Sequence, residues 1–174
     1  MASDETFVGG KKKNVQKGKP EPKNHAVHAL VEHGGRVRAS HVADVSARTL
    51  REALAKHVDR RSALHADDGL ANLSLGKDFA SHETVNHSQD DYHPDGTGVQ
   101  SAEAFFAILK RGVMAAFHSI SEQHLQRYLD EFAFRWDKRS ALGVEDFERA
   151  AKLLRGAQGR RLTNRPRPNP QARH

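Results

Sequence analysis

The chain has 174 residues, which is enough for one domain of ordinary size and too few for two. It contains no cysteine, so a disulfide scaffold, a thiol nucleophile and any Cys-ligated zinc or iron–sulfur site are excluded. No apolar run approaches the roughly 18 residues that cross a bilayer, which excludes an integral membrane protein and makes a cytoplasmic location the expected one.

The net charge of +6 is concentrated at the C-terminus. Residues 155–174 hold six arginines and no acid, so the rest of the chain is neutral overall. A second basic cluster, of six lysines, lies within residues 11–23. Basic segments of this kind suit the phosphate backbone of DNA, and the alternative interpretation is a solvated charge run that binds no partner.

The N-terminal part of the chain predicts a small sheet followed by a helix. Alternating apolar residues predict strands over Glu5–Val8, His25–Glu32 and Arg36–Val42. The two glycines within His33–Gly35 predict a hairpin turn between the second and third strands. Ser46–Val58 begins with a serine as N-cap and carries apolar residues four positions apart, which predicts an amphipathic helix.

The remaining elements are short strands followed by helices. Strands are predicted at Ser62–Ala66 and His82–Asn86, and a polar loop at Gln89–Gly98. Helices are predicted at Ser101–Ala116, with Ser101 as its N-cap, Ser121–Phe134 and Val144–Leu154. This order of elements predicts an α/β fold with a mixed sheet and helices on its faces.

Three carboxylates and a lysine occupy positions that suit catalysis. Asp4 lies at the start of the first strand, Asp67 follows the fourth strand, and Glu103 lies in the first turn of a long helix. Strand ends are where α/β folds place functional groups, and Lys110 lies two helical turns after Glu103 on the same helix face. Carboxylate oxygens are the ligands that magnesium prefers, and two such ions can promote phosphoryl transfer. Ordinary surface carboxylates are the alternative, because acids are common in this chain.

Eight stretches, in order from the start of the chain to about residue 139, resemble the ISXO-like transposases of bacterial insertion sequences. These proteins are DDE transposases with a ribonuclease-H-like, integrase-like catalytic domain. The matching stretches are Asp4–Lys11, Val31–Gly35, Ala66–Asp68, His82–Ser88, Ala102–Gly112, Phe117–Ser121, His124–Leu129 and Asp130–Trp136.

The resemblance implies a role for each of the four residues. Asp4, Asp67 and Glu103 would be the catalytic carboxylates that hold two Mg²⁺ or Mn²⁺ ions, and Lys110 would contact substrate DNA. The implied reaction is metal-dependent cleavage at transposon ends and transfer of the freed 3′-hydroxyl to target DNA by a homo-oligomer. The residues expected to bind DNA are Lys11, Lys12, Lys13, Lys110 and Arg111.

The resemblance implies a ribonuclease-H-like catalytic domain over residues 1–139. Periodicity and composition predict a C-terminal helix over 140–155 and a disordered arginine-rich tail over 156–174. The family usually carries a zinc ribbon before this domain, so the chain is expected to be truncated at its N-terminus, with a shortened first strand. The family also typically has a threonine where Ala66 stands and a tryptophan where Phe106 stands.

Two alternative functions are compatible with these observations. The chain could be an inactive transposase remnant that binds nucleic acid non-specifically through its basic tail and lysine loop. It could also be a stand-alone ribonuclease-H-like nuclease, which would cleave RNA–DNA hybrids in preference to duplex DNA.

Overall fold

The computed structural model describes residues 1–9, 23–67, 79, 81–85, 100–117 and 120–159. Its strands are β1 (Ala2–Gly9), β2 (Asn24–Val31), β3 (Val37–Val42), β4 (Ala63–Asp67) and β5 (Ser81–Val85). Its helices are α1 (Ala47–His57), α2 (Gln100–Gly112) with a π-helical extension Val113–Phe117, α3 (Glu122–Asp137), a 3₁₀ turn Ser140–Leu142 and α4 (Asp146–Ala157).

The strands form one five-stranded mixed sheet in the order β3-β2-β1-β4-β5. β2 is antiparallel to both of its neighbours, β1 and β3, whereas β1, β4 and β5 run parallel to one another. Gly34, at φ 61°, lies in the turn between β2 and β3, a backbone conformation that glycine adopts without steric penalty. The sheet is mixed, as predicted, and helices pack on both of its faces, so the predicted fold is confirmed.

The first strand is longer than the sequence pattern predicted. It begins at Ala2 rather than Glu5 and pairs with β2 over all eight of its residues, from Ala2 opposite Val31 to Gly9 opposite Asn24. On its other edge, β1 pairs with β4 at Ala2 and Ser3. Asp4 therefore lies inside a strand that is paired on both sides close to this residue.

One face of the sheet is covered by α2 and α3. Ala2 and Val8 of β1 lie on this face, in a buried cluster with residues of β2, β3 and both helices. Phe105 is 1 % exposed in this cluster, and its ring meets Trp136 edge-on with the centroids 5.9 Å apart. Phe132 and Trp136 of α3 thus anchor this helix to the core that covers the sheet.

The opposite face carries a smaller aliphatic cluster under α1. It contains Leu30, Leu50, Leu54, Val58 and Leu64. The predicted N-cap is confirmed, because the Ser46 side chain accepts a hydrogen bond from the Thr49 backbone. The hydroxyls of Ser46 and Thr49 both donate hydrogen bonds to the Asp44 carboxylate. These bonds lower the pKa of Asp44 to about 2.

Side chains of α3 cover the edge strand β3. Asp137 accepts a hydrogen bond from the Val37 N–H at 2.8 Å. The Gln126 side chain accepts from the His41 N–H and donates to the Ala39 carbonyl, each at 3.0 Å. These bonds occupy backbone groups that would otherwise be exposed at the edge of the sheet, and they fix the position of α3 along β3.

The helix boundaries differ from the predictions by a few residues. Ser101 lies inside α2, so it is not the N-cap, and the predicted α-helix over 113–116 is π-helical. The last helix ends at Ala157, two residues into the predicted tail. The loop predicted over 89–98 and residues 160–174 lie outside the described residues. None of the helices in the described part of the chain is long and apolar enough to cross a membrane.

Candidate active site

Asp4 is held by the backbone of β1. It lies opposite Ala29 of β2, and strand alternation places it on the same face as the buried Ala2 and Val8, the face covered by α2. Its Oδ1 accepts a hydrogen bond from the Glu5 N–H at 2.7 Å, and the side chain is half-buried. A carboxylate on a paired strand with a backbone donor has little freedom to move away from the sheet.

Asp67 lies next to Asp4 in the sheet. It is the last residue of β4, where the prediction had it one residue beyond the strand, and it pairs with Val85 of β5. The register of β1 and β4 pairs Ser3 with Ala66, so one further step along both strands places Asp4 beside Asp67. Neighbouring strands are about 4.8 Å apart, and thus the two aspartate backbones are adjacent. The Asp67 side chain is outside the described part of the structure.

Glu103 and Lys110 lie along one flank of α2. The buried stripe of this helix consists of Ala102, Phe105, Phe106, Leu109 and, in the π-helical turn, Val113. Glu103 and Lys110 are exposed beside this stripe, two turns apart. The helix therefore presents a carboxylate and an ammonium group at the border of the layer that covers the face of Asp4.

The predicted DNA-binding residues fall into two groups. Lys110 and Arg111 are exposed in the last turn of α2, immediately before its π-helical extension. Lys11, Lys12 and Lys13 lie outside the described residues. Only the first group can therefore be placed relative to Asp4.

A buried polar pair lies under β1 on the opposite face of the sheet. His28 Nε2 and Ser3 Oγ are hydrogen-bonded at 2.9 Å, and both residues are almost completely buried. Burial lowers the pKa of His28 to about 4, with a smaller contribution from nearby His57, so the imidazole is neutral near pH 7. This pair connects β1 to β2 next to Asp4.

The donor set fits the expected divalent cations. Asp4 and Asp67 occupy adjacent positions in the sheet, and Glu103 lies on the helix that covers the face of Asp4. Carboxylates are hard oxygen ligands suited to Mg²⁺ or Mn²⁺.

A second group of potential metal ligands was missed at the level of the sequence. His25, His41 and Glu122 each have one ligand atom within 4.8 Å of the others. The signal was present in the predicted hairpin, because a turn at His33–Gly35 brings the outer ends of its two strands together. The hairpin pattern could not predict that Glu122 of α3 lies beside these two histidines.

Comparison with known proteins agrees with this architecture. The sequence pattern of the ISXO2-like transposase domain matches residues 2–137. The structure is similar to the crystal structure of the catalytic core domain of BIV integrase, with a TM-score of 0.53 and 15 % sequence identity. The similarity covers 89 % of this chain and 97 % of the integrase chain, and at this identity it shows the fold alone. Among curated proteins, no significant match was found. Since the family pattern covers most of the sequence, including the strands and helix that carry Asp4, Asp67 and Glu103, this chain belongs to the ISXO2-like transposase family.

Proposed function

We propose that this chain is a DDE-type transposase catalytic domain that cleaves DNA at transposon ends and joins the freed 3′-hydroxyl to target DNA. The observation that carries the proposal is the parallel register of β1 and β4, which pairs Ser3 with Ala66, the residues that immediately precede Asp4 and Asp67. Glu103 on α2 supplies a third carboxylate near the same face. Membership of a transposase family supports a role in transposition, and the three carboxylates supply the chemistry.

Asp4, Asp67 and Glu103 would hold two Mg²⁺ or Mn²⁺ ions. Bound there, the ions would activate a water or a 3′-hydroxyl and stabilise the leaving oxygen of the phosphodiester. The chain's own contribution is to hold these carboxylates in place. The Glu5 N–H orients the Asp4 carboxylate, and β2 and β4 hold the strand from both sides. Preorganised ligands of this kind avoid a reorganisation cost during the reaction.

Lys110 and Arg111 would position the DNA. Their exposed cationic groups lie about two turns from Glu103 toward the C-terminus of α2, where a phosphate of the substrate can reach them. In strand transfer, the 3′-hydroxyl oxygen forms a bond to phosphorus, and the existing bond from phosphorus to the 3′ oxygen of the target breaks. The nucleophile is the DNA hydroxyl, so no covalent protein–DNA intermediate is required.

The test is Mn²⁺-dependent cleavage and joining of duplex DNA by the purified chain and its variants. Asp67→Asn and Glu103→Gln are each expected to lower the rate at least about 100-fold, because each removes a charged ligand while keeping the side-chain shape. Asp68→Asn changes the neighbouring carboxylate, and Glu52→Gln changes an exposed carboxylate on α1. Both controls are expected to keep the wild-type rate.

A manganese titration followed by thermal melting separates a defective site from a defective fold. A ligand that binds only the folded state raises the melting temperature, by an amount equivalent to about 2.7 kcal/mol at 100 times its Kd. We expect the rise in the wild type and its loss in Asp67→Asn. A normal melt that does not respond to Mn²⁺ would contradict the proposal.

DNA binding distinguishes the proposed enzyme from an inactive remnant. Both functions predict salt-sensitive binding that weakens when residues 160–174 are deleted or when Lys11, Lys12 and Lys13 are changed to alanine. Only the enzyme predicts that Asp67→Asn abolishes joining while DNA binding persists. A chain that binds DNA, folds normally and neither cleaves nor joins it would be the remnant, and preferential cleavage of RNA–DNA hybrids would favour a ribonuclease-H-like nuclease.

A further inference from the structure

A polar cleft with two imidazoles and a carboxylate lies where β2, β3 and the start of α3 meet. One ligand atom from each of His25, His41 and Glu122 lies within 4.8 Å of the other two. All three residues line a cavity of about 280 Å³, together with Lys23. The cleft is separate from the candidate active site, because His25 pairs with Val8, which is four residues, or about 13 Å, along β1 from Asp4.

The sheet register brings the two histidines together. Val27 pairs with His41, so His25 and His41 are diagonal neighbours on the same face of the antiparallel pair. Val27 and Ala39 lie in the cluster under α2 and α3, which shows that this face is the one covered by α3. The two rings meet edge-on with their centroids 5.7 Å apart.

The position of Glu122 follows from the way α3 is attached to β3. Gln126, one turn after Glu122, forms the two hydrogen bonds to the backbone of Ala39 and His41. This attachment places the first turn of α3 against the histidines and brings Glu122 Oε2 to 4.0 Å from His25 Nδ1. Such a separation is too long for a hydrogen bond and close to the roughly 3.4 Å between two ligand atoms on a tetrahedral zinc ion.

From these contacts we propose that His25, His41 and Glu122 form a binding site for a transition-metal ion of the Zn²⁺ class. Two imidazoles and one carboxylate favour such ions, whereas Mg²⁺ prefers a set made of oxygen atoms alone. The side chain of His25 is only 12 % exposed, and that of Glu122 is 60 % exposed, so the carboxylate can close on an ion without moving the sheet. A water from the open cavity supplies the fourth ligand.

The bound ion would fasten the first turn of α3 to the open end of the β2–β3 pair. Gln126 already attaches α3 to the backbone of Ala39 and His41, and Asp137 attaches it at Val37. The ion would add a side-chain connection at the end of β2 and β3 opposite the hairpin turn. Since the ligands come from three separate elements, binding requires the folded chain and stabilises it. This site does not depend on the carboxylates that carry the proposed catalytic function.

The experiment is titration of the full chain with Zn²⁺ in excess Mg²⁺, followed by calorimetry and thermal melting. Co²⁺ serves as the spectroscopic probe, because its visible absorption reports a tetrahedral site. We expect one ion per chain in the wild type and a higher melting temperature. His41→Gln is expected to abolish the tetrahedral Co²⁺ spectrum, and Glu122→Gln to weaken Zn²⁺ binding at least about tenfold.

Two matched variants control for other ligands in this histidine-rich chain. His33→Gln removes an exposed histidine from the hairpin turn, and Asp67→Asn removes a carboxylate of the proposed active site. Both are expected to keep the wild-type Zn²⁺ affinity and Co²⁺ spectrum. The proposal is wrong if the wild type shows no one-to-one binding, or if Glu122→Gln, whose exposed side chain allows the fold to persist, binds Zn²⁺ as the wild type does.

Discussion

The two faces of the sheet differ in size and in chemistry. The face under α2 and α3 has the larger core, rich in aromatic residues, and it also carries Asp4 and the His25–His41 pair. The face under α1 has a small aliphatic core and a buried hydrogen bond between Ser3 and His28. The polar groups of the first face lie at its borders, whereas the polar pair of the second is enclosed. The larger core thus supports functional groups that are only partly buried, and the smaller one supports the strand that carries Asp4.

The largest expected loss of stability comes from the larger core. Phe105→Ala removes a ring that is 1 % exposed and packs against Phe106 and Trp136, so it should lower the free energy of unfolding by about 3–5 kcal/mol. Leu50→Ala, in the smaller core, is the matched substitution and is expected to cost about 2–5 kcal/mol. Urea denaturation measures both. If Leu50→Ala cost clearly more than Phe105→Ala, the ranking of the two cores would be reversed.

The next effect is a pH dependence of the free energy of unfolding, which arises from His28 on the face with the smaller core. The pKa of His28 falls from its ordinary value of 6.5 to about 4 on folding, because the imidazole is buried. Between these values the unfolded chain binds more protons than the folded one, so the free energy of unfolding decreases as the pH falls from 6.5 to 4. The loss of stability that His28 causes should reach about 3 kcal/mol when the pH has fallen to 4.

Urea denaturation of the wild type and His28→Asn over this pH range measures the contribution of His28. The variant should lose the corresponding part of the pH dependence, whereas His57→Gln should remove only the smaller part that His57 contributes. Parallel pH profiles for the wild type and His28→Asn would show that His28 is not the group responsible.

A smaller effect on stability is expected where Gly112 of α2 lies against the ring of Phe132 of α3. A β-carbon on Gly112 would overlap the ring of Phe132, so Gly112→Ala should cost about 1–3 kcal/mol despite the higher helix propensity of alanine. The double variant Gly112→Ala, Phe132→Leu should recover part of this loss, because leucine leaves room for the added methyl group. Stabilisation by Gly112→Ala alone would show that the two helices are less tightly packed than this contact implies.

Much of the fold could be predicted because its signals are local. The periodicity of β2 and α1 and the Ser46 N-cap depend on residues within a few positions of one another, and those predictions agree with the structure to within about one residue. The start of β1 could not be predicted in this way. Ala2, Ser3 and Asp4 are poor strand formers, and they are extended because β2 and β4 pair with them.

The candidate sites also combine features that the local sequence determines with features that depend on tertiary contacts. The sequence by itself determined the residue types available to a site, including the carboxylates at Asp4, Asp67 and Glu103, and the family resemblance that connected them. The tertiary structure decided which residues are adjacent, because the parallel pairing of β1 with β4 joins positions that are distant along the chain. Only the packing of α3 on β3 brings Glu122 to His25 and His41, because that contact depends on how the helix and the strand fit together rather than on any local pattern.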